Sequence, residues 1–162
     1  MYTYKNVTIR WLGHDSFLLQ SEGKNLYIDP YKLSDPDLPQ ADFVISTHEH
    51  HDHCDPDSIN AISSKATVVL GPDVTLSKLK KEVKEKKAVK SLNPGDSFEL
   101  DGVQFGAIPA YNHHRFRSPG NPFHPKKSGH IGPIITMGDA KIYHAGDADK
   151  IDEMDDLDVD VA

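Results

Sequence analysis

His48, His50, Asp52 and His53 place four metal-capable side chains within six positions of a 162-residue chain that holds ten histidines. Neutral imidazoles and a carboxylate are the donor set of Zn²⁺, with Mn²⁺ or Fe²⁺ as further options for such a site. The cluster follows a short apolar run, Asp42 to Thr47, and precedes Asp55-Pro56, which reads as a helix start. While the backbone is still extended, residues two apart share a side, so His48, His50 and Asp52 can converge. The turn into the helix then swings His53 toward them. Two imidazoles at spacing two suit one ion, and Asp52 with His53 suits a second beside it. Ions about 3.5–4 Å apart make a two-metal hydrolytic site. The cluster is internal to the chain, so it is no purification tag.

The elements that must position this cluster are mostly strands. Val7, Ile9 and Trp11 alternate with polar residues, Gly13-His14-Asp15 breaks the run, and Ser16 to Gln20 resumes it. After a turn at Glu22 to Asn25, Leu26-Tyr27-Ile28 returns, giving an antiparallel meander of three strands. Asp42 to Thr47 has the continuous apolar character of a buried strand. The helix opened by Asp55 and Pro56 gives way to a strand at Ala66 to Leu70, and Gly71-Pro72-Asp73 opens a second helix through Leu76, Leu79 and Val83. The lysines from Lys78 to Lys90 read as a solvated helix face. Ser97 to Leu100 and Val103 to Ile108 form a hairpin across Asp101-Gly102. A Pro- and His-rich loop is expected from Pro109 to Gly129, then a second hairpin of Ile131 to Met137 and Lys141 to His144. Leu157, Val159 and Val161 alternate with aspartates and read as a further strand.

Composition narrows the class. With 18 Lys plus Arg against 25 Asp plus Glu, the formal charge is −7, which offers no broad cationic surface for a phosphate backbone. One cysteine excludes a disulfide within the chain and suits a reducing compartment. No apolar stretch approaches the roughly 20 residues that span a bilayer, and Met1 to Arg10 lacks a signal-peptide pattern. The expectation is one cytoplasmic domain over residues 1–162. Its expected partner is a small-molecule substrate of anionic character, with a homo-oligomer allowed for and neither nucleic acid nor membrane.

Residues 48–53 match the H-x-H-x-D-H motif of the metallo-β-lactamase superfamily. Trp11-Leu12-Gly13-His14, Tyr27-Ile28-Asp29-Pro30 and Tyr143-His144-Ala145-Gly146-Asp147 also resemble that superfamily, in particular its small metal-dependent hydrolases related to lactonases and phospholipase D-like enzymes. The resemblance implies an αββα sandwich with metals at one edge of two sheets. It makes His48, His50, Asp52 and His53 ligands and Asp147 the carboxylate that bridges the two ions. A carboxylate just past an apolar strand, after a glycine, fits that role on its own terms. Where relatives place a third histidine of the first site, this chain has Asn112, a poor zinc ligand. His124, in Pro122-Phe123-His124-Pro125, is the first choice to substitute, with His113 and His114 as alternatives. The resemblance also implies one more second-site histidine beyond residue 162, so the domain is expected to lack its last strand–helix segment.

The expected chemistry is hydrolysis of an ester, lactone or phosphoester by hydroxide held on one or two zinc-like ions, with Asp52 and Asp147 as the catalytic carboxylates. The alternative is a non-catalytic metal-binding fragment or a subunit completed by another chain. Of the remaining candidates, His14 either orients a ligand or is structural, and His144 reads as a buried strand histidine. His51 points away, Cys54 is an inert buried thiol, and Glu49 is exposed or ion-paired. Asp149 supports or caps. Arg115, Arg117, Lys126 and Lys127 flank the Pro-rich loop as surface cations available to an anion.

Overall fold

Alternation along the strands sorts the apolar side chains into two separate clusters, and these define the layers of the computed structural model, which describes residues 1–162. In β3 (Ser16–Ser21), β4 (Lys24–Ile28), β5 (Phe43–Ile45) and β6 (Val68–Gly71), successive residues point to opposite faces. Leu19, Leu26, Ile28, Phe43, Ile45, Val68 and Leu70 face a second sheet, while Leu18, Tyr27, Val44 and Val69 face the helices. Both faces of these strands are buried, which explains their unbroken apolar runs.

The first sheet has seven strands in chain order. β1 (Tyr2–Tyr4), β2 (Val7–Gly13), β3 and β4 pair antiparallel, then β5, β6 and β7 (Ala88–Ser91) continue in parallel. Parallel neighbours need crossovers. The β4–β5 crossover is the helix-free segment 29–42. α1 (Pro56–Ile62) joins β5 to β6 and α2 (Asp73–Glu82) joins β6 to β7, and the two helices bury Ile59, Ile62 and Leu79 on the sheet's outer face. Asp55 caps α1 by accepting from the Asp57 N–H at 3.3 Å, and Pro56 sits at the first helical position.

The second sheet contains β8 (Ser97–Leu100), β9 (Val103–Pro109), β12 (Ile131–Met137) and β13 (Ala140–Tyr143), antiparallel in the order β13-β12-β9-β8. Val103, Phe105, Ile131, Ile135 and Met137 meet the first sheet's inner face, with the Phe43 and Phe105 rings 5.1 Å apart. Of the four αββα layers, residues 1–162 build the helical layer and both sheets. The outer face of the second sheet carries no α-helix among them. No helix is long and apolar enough to cross a membrane.

Three local expectations are corrected. The segment from Pro109 to Gly129 is not one irregular loop: β10 (Phe116–Ser118) and β11 (Asn121–Pro122) form a small hairpin, followed by a 3₁₀ turn at Lys126–Ser128. Residues 157–161 form no strand but a single parallel bridge between Val161 and Ile142. Asp160 ties this tail down with its side chain, which accepts from Lys5 Nζ and the Lys141 N–H. His144 lies just past β13 rather than inside it. β1, which the sequence reading omitted, is an exposed edge strand folded back by the turn at Lys5 and Asn6.

Candidate metal centre

The strand ends at one edge of the two sheets carry most of the side chains singled out for chemistry, and the segment after the β10–β11 hairpin adds His124. β4 runs into Asp29, β5 into His48 to His53, β9 into Asn112, and β13 into Asp147, while the β2–β3 turn holds His14 and Asp15. The turn before Asp147 requires glycine: Gly146 has φ +56°, and a Cβ there would press within 3.4 Å of the Thr47 side chain.

Asp29 organises the buried half of the site. It is fully buried with φ +45°, uncommon for a non-glycine residue. Its Oδ1 accepts from the Thr47 N–H and its Oδ2 from the Thr47 hydroxyl, both at 2.7 Å. The His53 Nδ1–H donates to Oδ2, also at 2.7 Å. With its one proton given to Asp29, the Thr47 hydroxyl can only accept from the Nδ1–H of His48, 3.0 Å away. One carboxylate therefore sets the tautomer of two imidazoles and turns both Nε2 atoms toward the site.

Asn112 does the same for His124. Its Nδ2 donates to the Asp147 carbonyl at 2.8 Å, which fixes the amide so that Oδ1 accepts from His124 Nδ1–H at 2.7 Å. Asparagine stands where the resemblance places a histidine, and here it orients a neighbouring histidine. Asp149 holds the same loop by accepting backbone N–H bonds from His113, His114 and Arg115.

These constraints gather His48, His50, His124 and Asp147, whose donor atoms lie within 4.8 Å of one another. His50 Nδ1 is 3.1 Å from both His48 Nε2 and His124 Nε2. Since those two Nε2 atoms are lone pairs, at most one proton can lie among the three nitrogens. Burial pushes the His48 imidazole down to about 2, helped by the neighbouring histidines, and pushes His124 down to about 4. Neutral imidazoles crowded around one point, beside a carboxylate, fit a divalent cation. Asp147 Oδ2 faces this cluster, 3.5 Å from His124 Nε2 and 4.0 Å from His48 Nε2, while Oδ1 lies 3.3 Å from His53 Nε2. The contact with His53 holds the Asp147 carboxyl well below its usual range, although burial works the other way. Burial pushes His53 down, yet Asp147 and Asp29 prevail and hold it up at about 10, so this position favours positive charge. His53 Nε2 is nevertheless buried with no hydrogen-bond partner.

The other candidates fall around this core. Asp52 lies outside the four-residue cluster: its Oδ2 is 3.1 Å from His14 Nε2, and it lines an open cavity of about 370 Å³ with His50, Arg117, Phe123, His124 and Asp147. His51 is exposed against Tyr31. Cys54 is fully buried among the residues under α1, and burial pushes its thiol up. His113 and His114 meet edge to face, with centroids 4.1 Å apart and ring planes at 64°, outside the cluster. Glu49 is half-exposed and faces His130 Nε2 at 2.9 Å, off the line of a hydrogen bond. The sequence reading gave no role to Asp29, despite quoting it, and passed over His130, whose buried ring stacks on His48 at 4.9 Å. Neither is signalled by spacing. The positive φ that Asp29 needs just after a strand and before a proline is visible only in the fold.

Residues 8–162 match the family model described as a beta-lactamase superfamily domain. A UPF0173 metal-dependent hydrolase of Thermoplasma acidophilum is 31% identical over 159 residues, covering 93% of this chain and 65% of that protein. One from Caldivirga maquilingensis is 30% identical over 158 residues, covering 91% of this chain and 62% of that protein. The chain thus spans less than two thirds of the length of these two relatives. Among solved structures, a protein of Parabacteroides distasonis, provisionally named a metal-dependent hydrolase, superposes with a TM-score of 0.77 at 32% identity, covering 95% of this chain and 67% of its own.

Proposed function

We propose, from the premise that this chain belongs to the beta-lactamase superfamily domain family, that it is a metal-dependent hydrolase acting on an ester, lactone or phosphoester of a small anionic molecule. The observation that carries this reading is the meeting of His48, His50, His124 and Asp147, with the rings of His48 and His124 fixed by buried acceptors. Its relatives are named metal-dependent hydrolases. Zn²⁺ is the expected ion for this nitrogen-rich set, with Mn²⁺ or Fe²⁺ as alternatives.

When bound, such a cation polarises the scissile carbonyl or phosphoryl oxygen and brings the pKa of bound water to about 7. The protein's own residues do the rest. His48, His50 and His124 hold the ion as neutral donors, and Asp147 offers one oxygen to each side of the site. Asp52 lines the cavity: burial lifts its carboxyl, but its own backbone N–H, with His53 and His14 beside it, keeps it below the usual range. It is therefore ionised at neutral pH and able to accept a proton from water. Arg117, its guanidinium 5.3 Å from the Phe123 ring centroid, is the cation of this cavity and recognises the substrate's anionic group.

The test is turnover of lactone and phosphodiester substrates by the purified protein, with and without chelator. Activity lost to the chelator and restored by Zn²⁺ or Mn²⁺ is the expected outcome. Turnover that survives complete metal removal, or survives His48→Ala with His50→Ala, contradicts the proposal.

A further inference from the structure

Against the four-residue cluster stands a fourth imidazole that is not part of it. His130 is buried, and its ring centroid lies 4.9 Å from that of His48, 6.0 Å from that of His50 and 5.4 Å from that of His124. It meets all three imidazoles of the cluster without adding a donor atom to it. We propose that His130, tied to Glu49, is a positioning residue of the metal centre, backing the three rings so that they keep the spacing one cation requires. The inference rests on the proposed function in taking His48, His50 and His124 as donors.

The fold fixes His130 independently of any ion. Its carbonyl accepts from the Ala110 N–H at 3.0 Å, and the next residue, Ile131, donates its N–H to the Thr47 carbonyl at 3.1 Å. His130 is thereby pinned between the ends of β9 and β5, the strands that lead into Asn112 and His48. The hydrogen bond to Thr47 holds the His48 ring at Nδ1 alone. A ring held at one atom can still tilt and carry its Nε2 away from the other donors. The His130 ring, inclined by only 29° to that of His48, blocks this tilt by close packing.

Glu49 explains why the backing ring is a histidine. Its Oε2 lies 2.9 Å from His130 Nε2, a buried nitrogen with no hydrogen bond in line. Such a nitrogen is costly unless a polar group answers it, and the half-exposed Glu49 side chain has the freedom to turn into line. Glu49 also sits between His48 and His50 in the chain, so a contact through its side chain anchors the backbone that carries both donors. This matters most for His50, whose ring lacks an acceptor of the kind that Thr47 gives His48 and Asn112 gives His124. The rival account is that His130 only fills the core, so that stability depends on it and metal affinity does not.

The experiment is competitive chelator titration of the full chain with Zn²⁺, alongside denaturant unfolding of the metal-free protein to show that each variant is folded. His130→Phe keeps a ring and removes Nε2, while Glu49→Ala removes the carboxylate from a half-exposed position. Each is expected to weaken Zn²⁺ binding about tenfold. The double variant is expected to lose no more than either single one, because both changes break the same contact. Wild-type affinity in either single variant, whatever its unfolding midpoint, overturns the inference and leaves the proposed function standing. So do losses that multiply in the double variant. A wild-type chain that binds no Zn²⁺ overturns both.

Discussion

At the scale of single residues, the site depends as much on what fixes the ligands as on the ligands. Asp29 and Asn112 touch no candidate ion position, yet between them they orient His48, His53 and His124. Losing a partner of this kind typically costs 10–100-fold in metal affinity. Asp29→Asn is expected to weaken metal binding by about that factor, and to destabilise the fold by about 1–3 kcal/mol because an amide cannot accept all three of its buried donors. Competitive chelator titration and denaturant unfolding measure the two effects. Arg117→Ala is expected to raise KM about tenfold for an anionic substrate with kcat unchanged, as read from steady-state kinetics. The histidine cluster was legible in the sequence because local spacing carries it, as alternation after a strand, whereas Asp147 came from the superfamily resemblance, with which a carboxylate following a glycine agrees. Asp29 was not legible, because its partners lie 18 and 24 residues away and only the finished fold brings them to one buried carboxylate.

At the scale of elements, the same strands serve the inter-sheet core and the site. β4 and β5 bury Ile28 and Ile45 against the second sheet and then release Asp29 and His48 at their ends. A cavity left by Phe105→Ala, whose side chain is fully buried between the sheets, is expected to cost about 3–5 kcal/mol in denaturant unfolding. Removing the α1 cap with Asp55→Ala is expected to cost about 1 kcal/mol by the same measurement, for the lost acceptor of the Asp57 N–H and the Ser58 hydroxyl at the helix start. Strands with clear alternation, such as Ser97–Leu100, could be placed from the sequence to the residue. The β10–β11 hairpin could not, because prolines at 119 and 122 and a run of polar residues erase any two-residue period. The tail erred in the opposite direction. Leu157, Val159 and Val161 alternate like a strand, but only Val161 finds a neighbouring backbone.

At the scale of the whole molecule, the candidate donors come from His14 to Asp147 and meet only where two sheets share an edge. An unfolded chain disperses them, so an ion that binds the folded form stabilises it by mass action. At a free Zn²⁺ concentration about 100 times Kd, the fold is expected to gain about 2.7 kcal/mol. Thermal unfolding with and without a chelator reads this directly, and an unchanged Tm contradicts it. The most direct test of the central claim is anomalous diffraction from crystals of the metal-loaded chain, recorded on either side of the metal's absorption edge. The account predicts a peak about 2 Å from His48 Nε2, His50 Nδ1, His124 Nε2 and a carboxylate oxygen of Asp147. A loaded crystal whose only anomalous peaks lie away from these four atoms would contradict it.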